Sequence, residues 1–233
     1  MNHLIEYMSV DQASQRDKVI QEAQFPSTKP ITSYQFSKRA IRGFLVSDDK
    51  NLKFFDAAKA RLENDIARNE AKRDDSRKDL ETINDFIELF KRKRWGKLDI
   101  GPSELDVGIM IESVAINVRL DVALHETVSN DIQYAGGIVM FVARSAASRK
   151  GLEKRRLQTA QMIHWALEDR NIAPLPRLCW CMDIYEKKVV QASESNSRFR
   201  GYVRDACKEI ARKWLTIDPP DGYDGPEILP RQR

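Results

Sequence analysis

The stretch YAGGIVMFVAR, Tyr134 to Arg144, is apolar at odd and even positions alike. A strand with two apolar faces must be covered on both sides, so it belongs at the centre of a sheet with layers above and below it. Its longest apolar run, Gly136 to Ala143, is far short of the roughly 20 residues of a membrane-spanning helix. The remainder of the chain must therefore supply the covering layers.

Upstream, Val107–Glu112 and Val114–Leu124 are β-branched runs. In the second, Val114, Ile116, Val118 and Leu120 alternate with Ala115, Asn117, Arg119 and Asp121, the period of a half-buried strand. Downstream, SAASRKGLEKRRLQTAQMIHWALEDR reads as a helix whose apolar face includes Leu157, Ala160, Gln161, His164 and Trp165. RLCWCMDIYEKKVVQAS reads as two short strands joined at Tyr185–Lys187. A last amphipathic helix carries Phe199, Val203, Ala206, Ile210 and Trp214 at helical spacing.

The first 97 residues have a different character. Residues 1–32 read as a leader holding a short helix at most. Ser33 can cap a helix whose apolar face is Phe36, Ala40, Ile41, Phe44 and Leu45. From Asn51 to Trp95 there is neither Gly nor Pro, and the apolar period is interrupted by the charged ARNEAKRDDSRKD. That predicts one long helix with a solvated middle, or a hairpin turning near Asp74–Ser76. The basic KRKRWGK at 91–97 suits a helix C-terminus; its alternative is a phosphate-contacting cluster with Trp95 as a stacking ring. The expected organisation is a leader (1–32), a helical region (33–97), an α/β core (98–217) and an irregular tail (218–233).

The three cysteines do not make a zinc clip. Cys179-x-Cys181 lacks a second pair, and Cys207 stands alone, so buried free thiols are expected. MNHLIEYMSVDQ lacks the basic start and apolar core of a signal peptide, so a cytoplasmic protein without membrane contact is expected. Net charge is +4, but unevenly spread. Between Arg144 and Lys213 sixteen Lys/Arg face eight Asp/Glu, a basic field suited to a polyanion or to a partner subunit with an acidic face.

The order of elements, with a few short motifs, resembles the PD-(D/E)XK nuclease superfamily, nearest its RecB-like branch, which includes the CRISPR-adaptation exonucleases. Val118-Arg119-Leu120-Asp121 matches that branch's Gly/Arg-x-Asp element. Gln161-Met162-Ile163-His164-Trp165 matches its Gln-x-x-x-Tyr element, with Trp165 in the Tyr place. LCWCMDIYEKKVVQA is similar to its apolar strand pair, and SYQFSKRAIRGFL to its opening helix. The similarity runs in order over residues 33–215. It implies a restriction-endonuclease-like mixed central sheet flanked by helices, with a helical N-terminal extension or hairpin.

The family also needs a second carboxylate and, two positions later, a lysine. The carboxylates hold Mg²⁺, which activates water and stabilises charge on the phosphate. At the matching place the chain has Gly137 and Val139, which can do neither task. The resemblance thus implies a non-catalytic nuclease-fold protein, an accessory subunit in a nucleic-acid-handling or defence complex, without a cofactor.

Arg119, Arg144, Arg149, Lys150, Lys154, Arg155 and Arg156 are its candidate nucleic-acid contacts, and Gln161 and Trp165 its core motif. Asp121 is the residual catalytic candidate. His125 and Glu126, and before them Glu112, could supply a missing ligand to a relocated Mg²⁺ site. The alternatives are such a relocated nuclease, or a protein-interaction subunit docking through 51–94 without touching nucleic acid. Protein partners and self-association are both compatible with this reading.

Overall fold

The computed structural model describes residues 1–27, 33–93, 95, 98–103, 106–128, 132–142, 149–226 and 228. The helices are α1 (Asn2–Tyr7), α2 (Ala13–Gln24), α3 (Gln35–Val46), α4 (Asp56–Arg68), α5 (Arg73–Arg92), α6 (Arg149–Asp169) and α7 (Ser197–Lys213). The strands are β1 (Asp99–Pro102), β2 (Asp106–Ile111), β3 (Val114–Arg119), β4 (Val122–Val128), β5 (Ile132–Phe141), β6 (Pro174–Asp183) and β7 (Lys188–Gln191). Five strands form a mixed sheet in the order β1-β4-β5-β6-β7, while β2 and β3 pair as a separate hairpin. β4 and β5 are antiparallel, and β5 and β6 are parallel, joined by α6.

The doubly apolar segment is the central strand, as its pattern requires. Ile138 and Met140 of β5 face a core shared with Val122, Leu124, Trp180 and Met182; Val139 faces the other core with Cys179 and Cys181. α3 and the α4–α5 hairpin cover the first face. There Phe44 packs against Phe54, Phe55, Phe86 and Phe90, with centroids 4.8–5.8 Å apart, and the edge-on or tilted rings fill the layer. The second face is covered by α6, α7, the β2–β3 hairpin and α1–α2. The protein is thus an α/β structure with a mixed five-stranded sheet flanked by helices. No helix among the described residues is long and apolar enough to cross a membrane.

Several expectations change. The leader over 1–32 is instead two helices through residue 24, and Leu4, Tyr7, Val19 and Ile20 are part of the core. Each helix buries too few apolar residues to give a clear period by itself. The stretch expected as one long helix or a hairpin is a hairpin of α4 and α5, but it turns at 69–72, where the Asn69 side chain accepts from the Lys72 amide, and not at Asp74–Ser76. The α3 N-cap is Tyr34, in the left-handed region at φ 67°; Ser33 donates instead to Asp75. β1 pairs with β4 at the sheet edge although it carries no alternating pattern.

The run Val114–Leu124 is two strands in two different sheets, broken at Leu120–Asp121. The three cysteines are free and buried. Burial pushes the Cys179 and Cys207 thiols up to about 12, and Cys181 higher still.

β6 passes close over β5 at Gly136. A Cβ there would lie 2.2 Å from the Leu178 carbonyl oxygen and 2.5 Å from its carbon, a clash with backbone that cannot rotate away. Gly136→Ala is therefore expected to lower unfolding free energy by at least about 2 kcal/mol in chemical denaturation. Gly101→Ala, with nothing within 4 Å, should stay within about 0.5 kcal/mol.

Candidate functional site

Asp121 sits at the break between β3 and β4, beside β5. Its amide donates to the Ile138 carbonyl at 2.7 Å, while Val122 is already paired with Ile138. Two residues opposite one is the arrangement of a β-bulge, which bends a strand and re-aims a side chain. Here the carboxylate turns towards α3.

The carboxylate, 2% exposed, is saturated with donors. Oδ1 accepts from Arg42 Nε at 3.0 Å, with a second contact from Nη2. Oδ2 accepts from the Met140 amide at 2.7 Å and lies 3.0 Å from Lys38 Nζ. Lys38 and Arg42 are four residues apart on α3 and so share a helix face. They flank the stripe of Ile41, Phe44 and Leu45 that docks the helix.

A second buried carboxylate closes the same end of the sheet. Asp183 Oδ2 accepts from Arg156 Nε at 2.9 Å and Nη2 at 2.7 Å, and Oδ1 accepts from the Glu186 amide at 2.9 Å. Arg156 is 1% exposed. Asp183 lies on the α6 face and Asp121 on the α3 face. They are two strand spacings apart, about 10 Å, so one ion cannot bridge them.

The other sequence candidates are dispersed. His125 and Glu126 lie four and five residues along from Asp121, roughly 13 Å or more of extended chain. Glu126 pairs with Arg177, and His125 sits in the β1–β4–β5 ladder opposite Asp99 and Ala135. Neither reaches Asp121, which corrects their assignment as rescue ligands. Glu112 lies in the β2–β3 turn at φ 47°, 4.0 Å from Lys208. Among the described residues, no group of three or more His, Cys, Asp or Glu side chains is placed to hold a metal.

The site does not fit Mg²⁺ on the chemistry of its donors. Asp121 is held by two cations and an amide, and Val139 faces the α6 core. A Cβ on Gly137 would lie 2.6 Å from Leu120 Cδ1, so a methyl group already crowds the place of a second carboxylate.

The expected basic contacts also divide. Arg156 is corrected outright, since it is a buried ion-pair partner, while Leu157, expected in the core, is 37% exposed. Arg155 is largely covered and lies 3.9 Å from Glu6; Lys154 donates to the Met8 carbonyl at 2.9 Å. Both tie α6 to α1. Arg119 stays exposed, 3.8 Å from Asp106. Arg144, and the side chains of Arg149 and Lys150, lie outside the described residues.

Gln161 Nε2 donates to Ser193 Oγ at 2.7 Å, and Trp165 lies under Arg200 and Arg204 at 5.2 and 5.7 Å. The two therefore dock α7 and the segment before it. His164 approaches Asn196 at 3.1 Å, and burial lowers its pKa. Trp95 stacks between Phe90 and Trp180, with its indole N–H on the Phe90 carbonyl, so it is not free to stack a base. Lys38 and Arg42 are the site residues that the sequence reading missed. Their signal was an i,i+4 cation pair beside the apolar stripe, but it could be interpreted only once Asp121 was known to be buried.

The chain matches no protein-family model, no curated protein and no solved structure.

A carboxylate kept for a metal is uncompensated without it, so its removal relieves the apoprotein. Asp121 is already compensated, and the opposite sign follows. Asp121→Ala should lower stability by about 3 kcal/mol, leaving two cations and the Met140 amide without their acceptor. Thermal or urea unfolding in chelator reads this, and a stabilised variant would show that Asp121 is held for a metal.

Proposed function

We propose that this protein is a non-catalytic, nuclease-like module that binds nucleic acid as an accessory subunit of a larger assembly. The observation that carries the reading is the state of Asp121: the carboxylate that the resemblance would assign to a metal is enclosed by Arg42, Lys38 and the Met140 amide. A metal-dependent phosphodiesterase needs net negative charge at that point, to hold its cation and activate water. This corner has net positive charge.

The order of the main sheet supports the nuclease-like reading at the level of topology. Two antiparallel strands lead through a crossover helix to a parallel third, the order that the resemblance implies. The uneven charge supports a polyanion as the bound partner. Docking through the α4–α5 hairpin receives less support. Several of its charged residues pair within α5, as in Arg77–Asp74, Lys78–Asp75 and Arg92–Glu88, as on a solvated helix face, and Asp85 and Glu88 meet Lys187 of the same chain.

The test is direct. The full chain should shift labelled single-stranded and duplex oligonucleotides at low salt, with affinity falling steeply as salt rises because phosphate contacts release counterions. The same oligonucleotides should remain uncut with Mg²⁺ or Mn²⁺. Absence of binding at low salt to DNA and RNA alike overturns the reading, and metal-dependent cleavage lost in Asp121→Ala replaces it with a relocated nuclease.

A further inference from the structure

Resting on that reading, we infer that the α3–β4 corner is itself the phosphate-binding site, with Lys38 and Arg42 taking one backbone phosphodiester and Arg39 extending the track. α3 contains no Asp or Glu, while Lys38, Arg39 and Arg42 fall within little more than one turn. The Asp121 side chain is 2% exposed, whereas Lys38 and Arg42 are 32% and 37% exposed. The negative charge therefore lies inside, beneath two cations that reach water.

Three features suit these cations to an external anion. First, two positive charges face one negative charge, leaving a surplus of one, the charge of a single phosphodiester. Second, Asp121 draws both side chains to a common point, so the ordering that usually opposes binding through long basic side chains is largely complete beforehand. Third, donors remain. Arg42 contacts Asp121 through Nε and Nη2 only, and Asp121 is the one acceptor it meets among the described residues, which leaves Nη1 for a phosphate oxygen.

Arg39 is exposed and has no ion-pair partner among the described residues. On α5, which packs against α3, Asp79 accepts from the Ser37 amide and hydroxyl, and Asp75 from Ser33. The site also has a favourable place in the fold. β4 begins, and β5 and β6 end, at this end of the sheet.

The experiment measures the salt dependence of oligonucleotide affinity by fluorescence anisotropy, for the full-length chain and four variants, with thermal unfolding as the fold control. Lys38→Gln, Arg42→Gln and Arg39→Gln should each weaken binding several-fold and flatten the log–log salt slope by about 0.7–0.9, one phosphate contact each. Asp121→Asn should do the reverse, because it removes the competing charge and keeps an acceptor for Arg42. Affinity should rise several-fold and the slope steepen by a similar amount, although the fold loses stability. Arg39→Gln and Asp121→Asn decide the matter if either of the other variants unfolds. Wild-type binding with unchanged slopes in all folded variants overturns this site and leaves the function reading standing on another surface. No wild-type binding overturns both.

Discussion

The arrangement rests on the neutralisation of two buried carboxylates at one end of the central sheet by arginines arriving from opposite layers. Arg42 on α3 meets Asp121 at the start of β4, and Arg156 on α6 meets Asp183 at the end of β6. Both pairs are reinforced by a backbone amide, from Met140 and Glu186 respectively. Buried ion pairs add little stability beyond what an apolar replacement would give, but removing the arginine from either carboxylate costs about 3–5 kcal/mol because the buried carboxylate is left charged in a poor solvent. Their effect is therefore positional. α3 and α6 can dock only where the guanidinium groups reach their carboxylates, and the two layers are indexed to the same end of the same sheet.

That indexing determines what the end of the sheet can do. Among the described residues, Asp121 is met by Arg42 Nε and Nη2, the Met140 amide and Lys38 Nζ, which occupies both its oxygens with positive or amide donors. Leu120 and Val139 fill the opposite side of β5 with methyl groups, as part of the core that includes Cys179 and Cys181. Tight packing allows little local remodelling, so a carboxylate introduced at Gly137 would need Leu120 to move as well. Leu120, the bulge at Asp121 and the position of α3 are all consistent with an occupied, apolar environment at that point.

The parts of the fold legible in the sequence are those set by local periodicity. Ile138 to Met140 must be covered on both faces. Ile116 and Val118 face inward while Ala115, Asn117 and Arg119 face out, and the α7 stripe from Phe199 to Ile210 is buried as its spacing requires. The parts not legible depend on partners distant in the chain. Arg156 and Leu157 exchange their expected places because a guanidinium enters a core only when a carboxylate awaits it, and Asp183 lies on a strand beyond the whole of α6. The run through Leu124 looks continuous, since nothing local to Leu120–Asp121 marks the bulge that moves the chain between sheets. α1 and α2 contribute isolated apolar residues, whose burial follows from α6 and α7 offering them a surface. Of the site, Asp121 is visible in advance and its two cations are not.

The sign of the charge at this corner links architecture to role. A carboxylate cluster attracts a cation, and a metal held there can act on a phosphate. With one carboxylate beneath two cations the field is reversed, and that sign is what the proposed phosphate site relies on. What differs is whether α3 brings its two basic side chains to the carboxylate, and in this chain it does. Asp121 therefore has a structural task here, as the acceptor on which α3 docks. It sets the position of the cations, and without it Lys38 and Arg42 would be two mobile side chains on an amphipathic helix.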